Sequence, residues 1–161
     1  MSGTPASSIL VLGIGNTLLS DEGAGVRAMR ALQQRLSARA DIEFIDGGTL
    51  SFTLAPAIAG HDRMIVIDAA ELGVAAGSVA VFADEAMDSF LGTNRKRSVH
   101  EVSLLDLMAV ALLEDHLPQR RALIAIQPAH VDWGEDLSPP VAASLGEVCN
   151  RAEALIAGWQ A

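Results

Sequence analysis

The feature that most constrains the fold of this chain is the alternation of short, nearly all-apolar runs with longer amphipathic stretches. The short runs predict five strands, at residues 9–12, 42–45, 64–67, 78–82 and 122–126. Strands that are apolar on both faces are typical of parallel sheets covered by helices on each side. The sequence therefore predicts an α/β fold: a three-layer α/β/α sandwich around a mostly parallel, twisted, five-stranded sheet.

The amphipathic stretches predict the helices of the two outer layers. One helix begins near Asp21 or Glu22, and others are expected at 50–58, with a kink or break at Pro56, and at 101–114 and 139–157. The strand at 78–82 follows the third strand too closely for a helical crossover, so we expect it to run antiparallel. Residues 92–98 are predicted to be a loop. The length of 161 residues fits a single domain, 1–161.

Charge and composition exclude several classes of partner. The chain has 11 basic and 20 acidic residues, and its net charge of −9 disfavours both nucleic acid and an anionic membrane surface. The first residues lack the features of a signal peptide, and the apolar run at 9–12 is far too short to span a bilayer. We therefore expect a cytoplasmic protein. The single cysteine, Cys149, excludes an intrachain disulfide and a cysteine metal cluster.

Polar and glycine-rich segments follow the predicted strands, at the place where open α/β sheets bind their ligands. The first strand is followed by Gly13-Ile14-Gly15-Asn16 and then Asp21-Glu22-Gly23, the second by Asp46-Gly47-Gly48-Thr49, and the third by Asp68. Asp46 or Asp68 alone could be a turn former or a helix cap. Together, these segments predict a site at one edge of the sheet.

One histidine could complete a metal site with these acids. His100 stands at the start of a long predicted helix, where a surface or capping role is the simpler interpretation. Glu22, Asp68 and His100 together offer two carboxylates and an imidazole, a donor set that suits a divalent ion such as nickel or zinc. His61 lies in a polar connection and is expected to be solvated, whereas His130, after the last strand, could line the cleft.

Five segments of the sequence resemble the motifs of the nickel-iron hydrogenase maturation endopeptidases. The fourteen residues from Gly13 to Val26, GIGNTLLSDEGAGV, resemble the N-terminal signature of that family. The other four segments, in chain order, are Asp46-Gly47-Gly48-Thr49, Val66-Ile67-Asp68-Ala69, Ser98-Val99-His100-Glu101, and Gln127-Pro128 with Trp133-Gly134 and Leu137-Ser138. The motifs occur in order over residues 9–145, which makes the resemblance specific.

The resemblance implies a concrete activity. Members of this family cleave a short C-terminal extension from the precursor of the hydrogenase large subunit, after nickel has been inserted into that precursor. Their metal-binding residues correspond here to Glu22, Asp68 and His100, and the family acts as a monomer in the cytoplasm. The nickel is that of the substrate precursor, and another divalent ion could replace it in a crystal. Asp46 and the segment Gly47-Gly48-Thr49 are candidates for a supporting, substrate-binding role.

Two mechanisms and two other functions stay open at this point. The ion could polarise the scissile carbonyl or activate water, or it could serve recognition alone while a carboxylate acts in hydrolysis. A non-catalytic nickel-binding maturation chaperone would use the same ligands. A receiver-like phosphoacceptor domain, with Asp68 as acceptor, would have its acid pair directly after the first strand and a lysine where Gln127 stands.

A basic run, Arg95-Lys96-Arg97, comes shortly before His100 and holds 3 of the 11 basic residues of this acidic chain. It is either a solvated loop or a segment that meets acidic groups of the precursor near the cleavage site.

Overall fold

Over the residues that the structure describes, the sheet has five strands, and four of them are parallel. The computed structural model describes residues 9–94 and 102–160. The strands are β1 (Ile9–Ile14), β2 (Ile42–Gly48), β3 (Arg63–Ala69), β4 (Val79–Ala83) and β5 (Arg120–Ile126). Their order is β2-β1-β3-β5-β4, and only β4 is antiparallel to its neighbour, β5. The predicted fold class, including the one antiparallel strand, is confirmed.

Helices cover both faces of this sheet. They are α1 (Ala24–Arg35), α2 (Ala55–Ala59), α3 (Glu85–Thr93), α4 (Leu104–Leu113) and α5 (Pro139–Gln160). Short 3-10 turns, Ser20–Gly23 and Phe52–Leu54, precede α1 and α2. Helix α4 begins after Ser103 because the Ser103 hydroxyl accepts a hydrogen bond from the Asp106 amide, while the Asp106 carboxylate accepts one from the Ser103 amide.

The side chains of each strand alternate between two apolar clusters. On β1, Ile9 and Val11 face the cluster that includes α1 and α5, whereas Leu10 and Leu12 face the cluster that includes α2, α3 and α4. The same alternation on β3 and β5 buries both faces of the three central strands. A strand with two buried faces must be apolar throughout, which explains the uninterrupted runs in the sequence.

Three expectations about the helices and one about a histidine need correction. Helix α3 was not predicted, and Gly92 lies within it rather than in a loop. The stretch predicted as one helix at 50–58 is a 3-10 turn followed by α2, and the division falls just before Pro56, which stands in the first turn of α2, where its missing N–H is not needed. The helix predicted to begin at residue 101 begins at Leu104 instead.

His61 is buried rather than solvated, although it lies between polar neighbours. One ring nitrogen, Nδ1, lies 2.5 Å from the Ala57 carbonyl oxygen at the end of α2, and Nε2 lies 2.9 Å from the Glu43 carboxylate on β2. The ring therefore joins α2 to an edge strand. Among the described residues, no helix is both long and apolar enough to cross a membrane.

Candidate functional site

Two glycines bring the segment that carries Glu22 against the carboxyl ends of β1 and β3. A Cβ atom on Gly25 would lie 2.2 Å from the Ile67 carbonyl oxygen, and one on Gly15 would lie 1.8 Å from the Glu22 carbonyl oxygen. Gly15 also has a φ of +132°, which favours glycine. Backbone thus packs directly on backbone, and a side chain at either glycine would push the Glu22 turn away from the sheet.

The same contact places Glu22 and Asp68 in one region of the structure. Gly13 of β1 pairs with Ile67 of β3, so Asp68, the last residue but one of β3, lies beside the end of β1. Glu22 and Asp68 are both partly buried. His100, the third predicted ligand, lies outside the described residues, as does the basic run Arg95-Lys96-Arg97. Residues 9–94 and 102–160 contain no group of three or more potential metal-ligating side chains.

The segment from Asp46 to Thr49 forms the end of β2 at the same sheet edge. Asp46 is exposed: one carboxylate oxygen accepts a hydrogen bond from the Gly48 amide, and the other forms an ion pair with Arg30, both at 2.9 Å. The Gly48 carbonyl accepts a hydrogen bond from the Gly15 amide at 3.0 Å, which joins this segment to the first loop. Asp46 therefore shapes the turn that presents the exposed Thr49.

A buried carboxylate, Asp21, connects the Glu22 turn to the segment after β5. Asp21 is fully buried and accepts hydrogen bonds from the Ser138 amide (2.8 Å), the Ser138 hydroxyl (2.7 Å) and the Ala129 amide (2.9 Å), with a longer one from His130 (3.4 Å). Burial raises the pKa of Asp21, but these donors together outweigh burial, so that the pKa lies below its ordinary value. The charged carboxylate is thus the form that the fold stabilises.

This role of Asp21 was not predicted. The sequence indicated only that an acid precedes Glu22, and nothing in it connected that acid with Ser138 of the last motif. Ser138 does stand just before α5, and its carbonyl accepts the first helical hydrogen bond from Ala142, but its hydroxyl donates to Asp21. The one signal available in the sequence was the position of this acid within the motif from Gly13 to Val26.

A second connection joins the same two segments near Gly134. The Gly134 amide donates to the Leu18 carbonyl (2.9 Å), and the Ser20 amide donates to the Gly134 carbonyl (2.7 Å). Gly134 has a φ of +143°, and Ser20 has a φ of +50°. Residues other than glycine rarely adopt positive φ values. The segment 129–138 is therefore fixed to the Glu22 turn at two places.

Gln127 fixes the start of this segment to the connection between β3 and β4. Its buried side chain accepts a hydrogen bond from the Leu72 amide (2.6 Å) and donates to the Glu71 carboxylate (3.1 Å). These bonds use the amide as both donor and acceptor, which a lysine at this position could not do. His130 is exposed beside this segment, and only its backbone amide contacts Asp21.

Comparison with known proteins gives related sequences over most of the chain. The sequence profile of a family described as hydrogenase maturation protease matches residues 26–155. The hydrogenase expression/formation protein HupD of Rhizobium leguminosarum bv. viciae is 36% identical over 156 residues, which cover 96% of this chain and 77% of that protein. The hydrogenase 2 maturation protease of Escherichia coli (strain K12) is 35% identical over 138 residues, covering 85% of this chain and 83% of the relative.

Solved structures with a similar fold come from proteins of the same kind as these related sequences. The hydrogenase maturating endopeptidase HybD from E. coli superposes with a TM-score of 0.84 at 29% identity, covering 94% of this chain and 93% of that one. The [NiFe] hydrogenase maturation protease HybD from Thermococcus kodakarensis gives a TM-score of 0.73 at 27% identity, with 92% and 98% covered.

Proposed function

The chain belongs to the hydrogenase maturation protease family, and from that premise we propose that it cleaves the C-terminal extension from a nickel-loaded precursor of a [NiFe] hydrogenase large subunit. It is an endopeptidase of this family. The nickel, as part of the precursor, belongs to the substrate. We expect the enzyme to act as a monomer in the cytoplasm.

One observation supports this function above the others: the packing of the Glu22 turn on the end of β3. Because Gly25 lets α1 approach the Ile67 carbonyl, the segments that carry Glu22 and Asp68 meet at the sheet edge where ligands of such folds bind, which supports a shared role for the two carboxylates. Carboxylate oxygens with one imidazole suit a divalent ion of borderline character. His100 is the proposed imidazole.

We propose that these ligands recognise the ion rather than merely hold it. An ion bound at once by the precursor and by Glu22, Asp68 and His100 would fix the orientation of the scissile bond and turn cleavage into a reaction within one complex. A precursor without nickel would lack this anchor. The proposal therefore explains why processing would follow metal insertion, whichever carboxylate or water acts in hydrolysis.

The segment from Asp46 to Thr49 is proposed to support the bound precursor. Asp46 uses both carboxylate oxygens locally, so its contribution is to hold the turn. A Cβ on Gly48 would meet only the Asp46 carboxylate, at 3.8 Å, which leaves the surface beside Gly48 open to an approaching chain. The exposed Thr49 would then offer a hydroxyl to that chain.

The experiment is incubation of the purified protein with nickel-loaded precursor, followed by mass spectrometry. The wild type is expected to shorten the precursor, and Glu22→Gln, Asp68→Asn and His100→Ala are each expected to abolish cleavage. Asp62→Asn is the matched control for Asp68→Asn, because Asp62 is exposed and precedes the same strand at its opposite end. Thermal unfolding of each variant shows whether it is folded.

Several outcomes would contradict the proposal. Wild-type protein that binds the precursor without shortening it would favour the non-catalytic chaperone. A folded Asp68→Asn or His100→Ala variant that still cleaves at the wild-type rate would remove that residue from the site.

A further inference from the structure

A large aromatic side chain stands exposed beside the proposed site. Trp133 is 81% exposed, and two further apolar residues, Val131 and Leu18, are each 51% exposed. The Leu18 carbonyl accepts a hydrogen bond from Gly134, so the backbone of Leu18 lies next to that of Trp133. We call Leu18, Val131 and Trp133 the Trp133 patch. Exposed apolar residues brought together in this way mark an interaction surface.

The backbone under the Trp133 patch is fixed before any partner binds. On one side of Trp133, the Ala129 amide donates to buried Asp21, and on the other side Ser138 donates to the same carboxylate. Between them, Gly134 bonds to the segment that carries Leu18, and the Trp133 amide donates to the Asp132 carboxylate at 2.8 Å. A pre-ordered surface loses less conformational entropy on binding, which favours affinity.

The Trp133 patch and the proposed nickel site share one segment of the chain. Leu18 and Glu22 belong to the same short connection between β1 and α1, and Ser20 of that connection bonds to Gly134. A partner that covers Trp133 would therefore contact the connection that carries Glu22. A precursor held through its nickel would be positioned to meet this surface.

The charges around the Trp133 patch restrict the kind of partner. Three exposed acids, Asp132, Glu135 and Asp136, lie in the same segment, beside one basic side chain, Arg27, which donates a hydrogen bond to the Glu135 carbonyl. The segment is thus acidic on balance, in a chain of net charge −9. A symmetric contact with a second copy would place these acids against their own counterparts, which is unfavourable. The partner that fits has an apolar contact surface bordered by basic side chains.

We propose that the Trp133 patch is a docking surface for the hydrogenase precursor, and that it contacts an apolar segment of the precursor that is flanked by basic residues. This inference rests on the proposed function and adds a second point of contact to the nickel site. Exposed tryptophans at interfaces contribute a large share of the binding free energy when a partner buries them. The surrounding acids would speed encounter with the basic residues of the precursor.

The test compares the steady-state kinetics of cleavage for Trp133→Ala and for a matched control. Leu113→Ala is that control, because Leu113 is 88% exposed at the end of α4, a helix on the other face of the sheet. Trp133→Ala is expected to raise KM for nickel-loaded precursor by about tenfold or more, with kcat within about twofold of wild type. Leu113→Ala is expected to have the wild-type KM.

A second variant tests the charge argument. Glu135→Gln with Asp136→Asn removes two charges without removing side-chain volume, and it leaves the Asp132 carboxylate in contact with the Trp133 amide. Wild-type kcat/KM is expected to fall as salt rises from about 50 to 500 mM, and this dependence should be weaker in the double variant.

An unchanged KM for folded Trp133→Ala, measured while the wild type cleaves normally, would overturn the docking inference and leave the proposed function intact. Concentration-dependent dimers of the wild type, lost in Trp133→Ala by sedimentation, would overturn it in favour of a second copy. Absence of cleavage by the wild type would instead contradict the proposed function itself.

Discussion

Replacing the buried Asp21 with alanine should destabilise the protein strongly, although the residue lies in a loop. The change removes the acceptor of three short hydrogen bonds, two from Ser138 and one from Ala129, at 2.7–2.9 Å. A hydrogen bond to a charged group contributes about 1.5–3 kcal/mol, and water that enters the vacated space recovers part of it. We therefore expect the free energy of unfolding to fall by about 3–5 kcal/mol.

Two milder substitutions are expected to lower the free energy of unfolding by smaller amounts. Asp21→Asn keeps one acceptor oxygen but turns an amino group toward one of the donors, so we expect about half the loss. Ser138→Ala removes only the hydroxyl, with a loss of about 1–2 kcal/mol. Ser144→Ala is its matched control, because the buried Ser144 hydroxyl bonds to Val141 within α5 and does not contact Asp21.

The assay is urea unfolding followed by circular dichroism, at pH 7 and at several lower values. The pKa of Asp21 is lower in the folded protein than its ordinary value, so the charged form favours folding. Its stabilising effect is complete above the ordinary pKa, about 4, and disappears as the pH falls through the lower folded value. The difference in stability between wild type and Asp21→Asn should therefore shrink below about pH 4.

Groups that are the same in both proteins cancel in this comparison. Asp41, for example, has its pKa lowered to about 2, mainly by its hydrogen bonds from Arg39, and it loses that interaction in the same acid range. A loss of less than about 1 kcal/mol in Asp21→Ala would refute the reasoning, since it would mean that the buried donors need no charged acceptor. A difference between wild type and Asp21→Asn that does not change with pH would refute the role assigned to the charge.

Three further predictions concern the packing and the substrate. Gly25→Ala should lower the free energy of unfolding by about 3 kcal/mol, because its Cβ would lie 2.2 Å from the Ile67 carbonyl oxygen, and a normal urea midpoint would contradict this. Precursor without nickel should stay uncut even with excess enzyme on a gel assay, and its rapid cleavage would defeat the recognition mechanism. Replacing Arg95, Lys96 and Arg97 with serine should slow precursor capture several-fold at low salt and little at high salt in stopped-flow binding, and an equal rate at low salt would indicate a merely solvated loop.

The sheet could be predicted from the sequence mainly because its three central strands, β1, β3 and β5, are buried on both faces. Each apolar run became a strand, although β1 and β2 extend further, through Ile14 and Gly48. Helix α3 was missed even though Met87, Phe90 and Leu91 have helical spacing and pack in the core. Gly92 and the polar residues after it are typical of a loop. Packing of α3 against strands distant in the sequence stabilises the helix, and local pattern does not indicate such packing.

The site could be predicted from the sequence only for residues whose role follows from their own chemistry and their motif. Glu22 and Asp68 each lie in one of the motifs, and the structure brings the segments of both to one sheet edge. Asp21 and His61 depended on partners far away in the sequence, Ser138 and Glu43, which local pattern does not indicate. Whether His100 joins the two carboxylates stays a prediction.

The position of β5 between β3 and β4 bears on the order in which the chain can fold during synthesis. Strand β4 leaves the ribosome before β5 but has no partner in the sheet until Arg120–Ile126 follows it. Until then, the outer edge of β3 stays unpaired, in a nascent chain that already carries Glu22 and Asp68. Ser138, which holds Asp21, comes later still. A ribosome-bound or truncated chain that stops before β5 would therefore lack the hydrogen bonds from Ala129 and Ser138 to Asp21. The proposed site can thus assemble fully only after nearly the whole protein has been made.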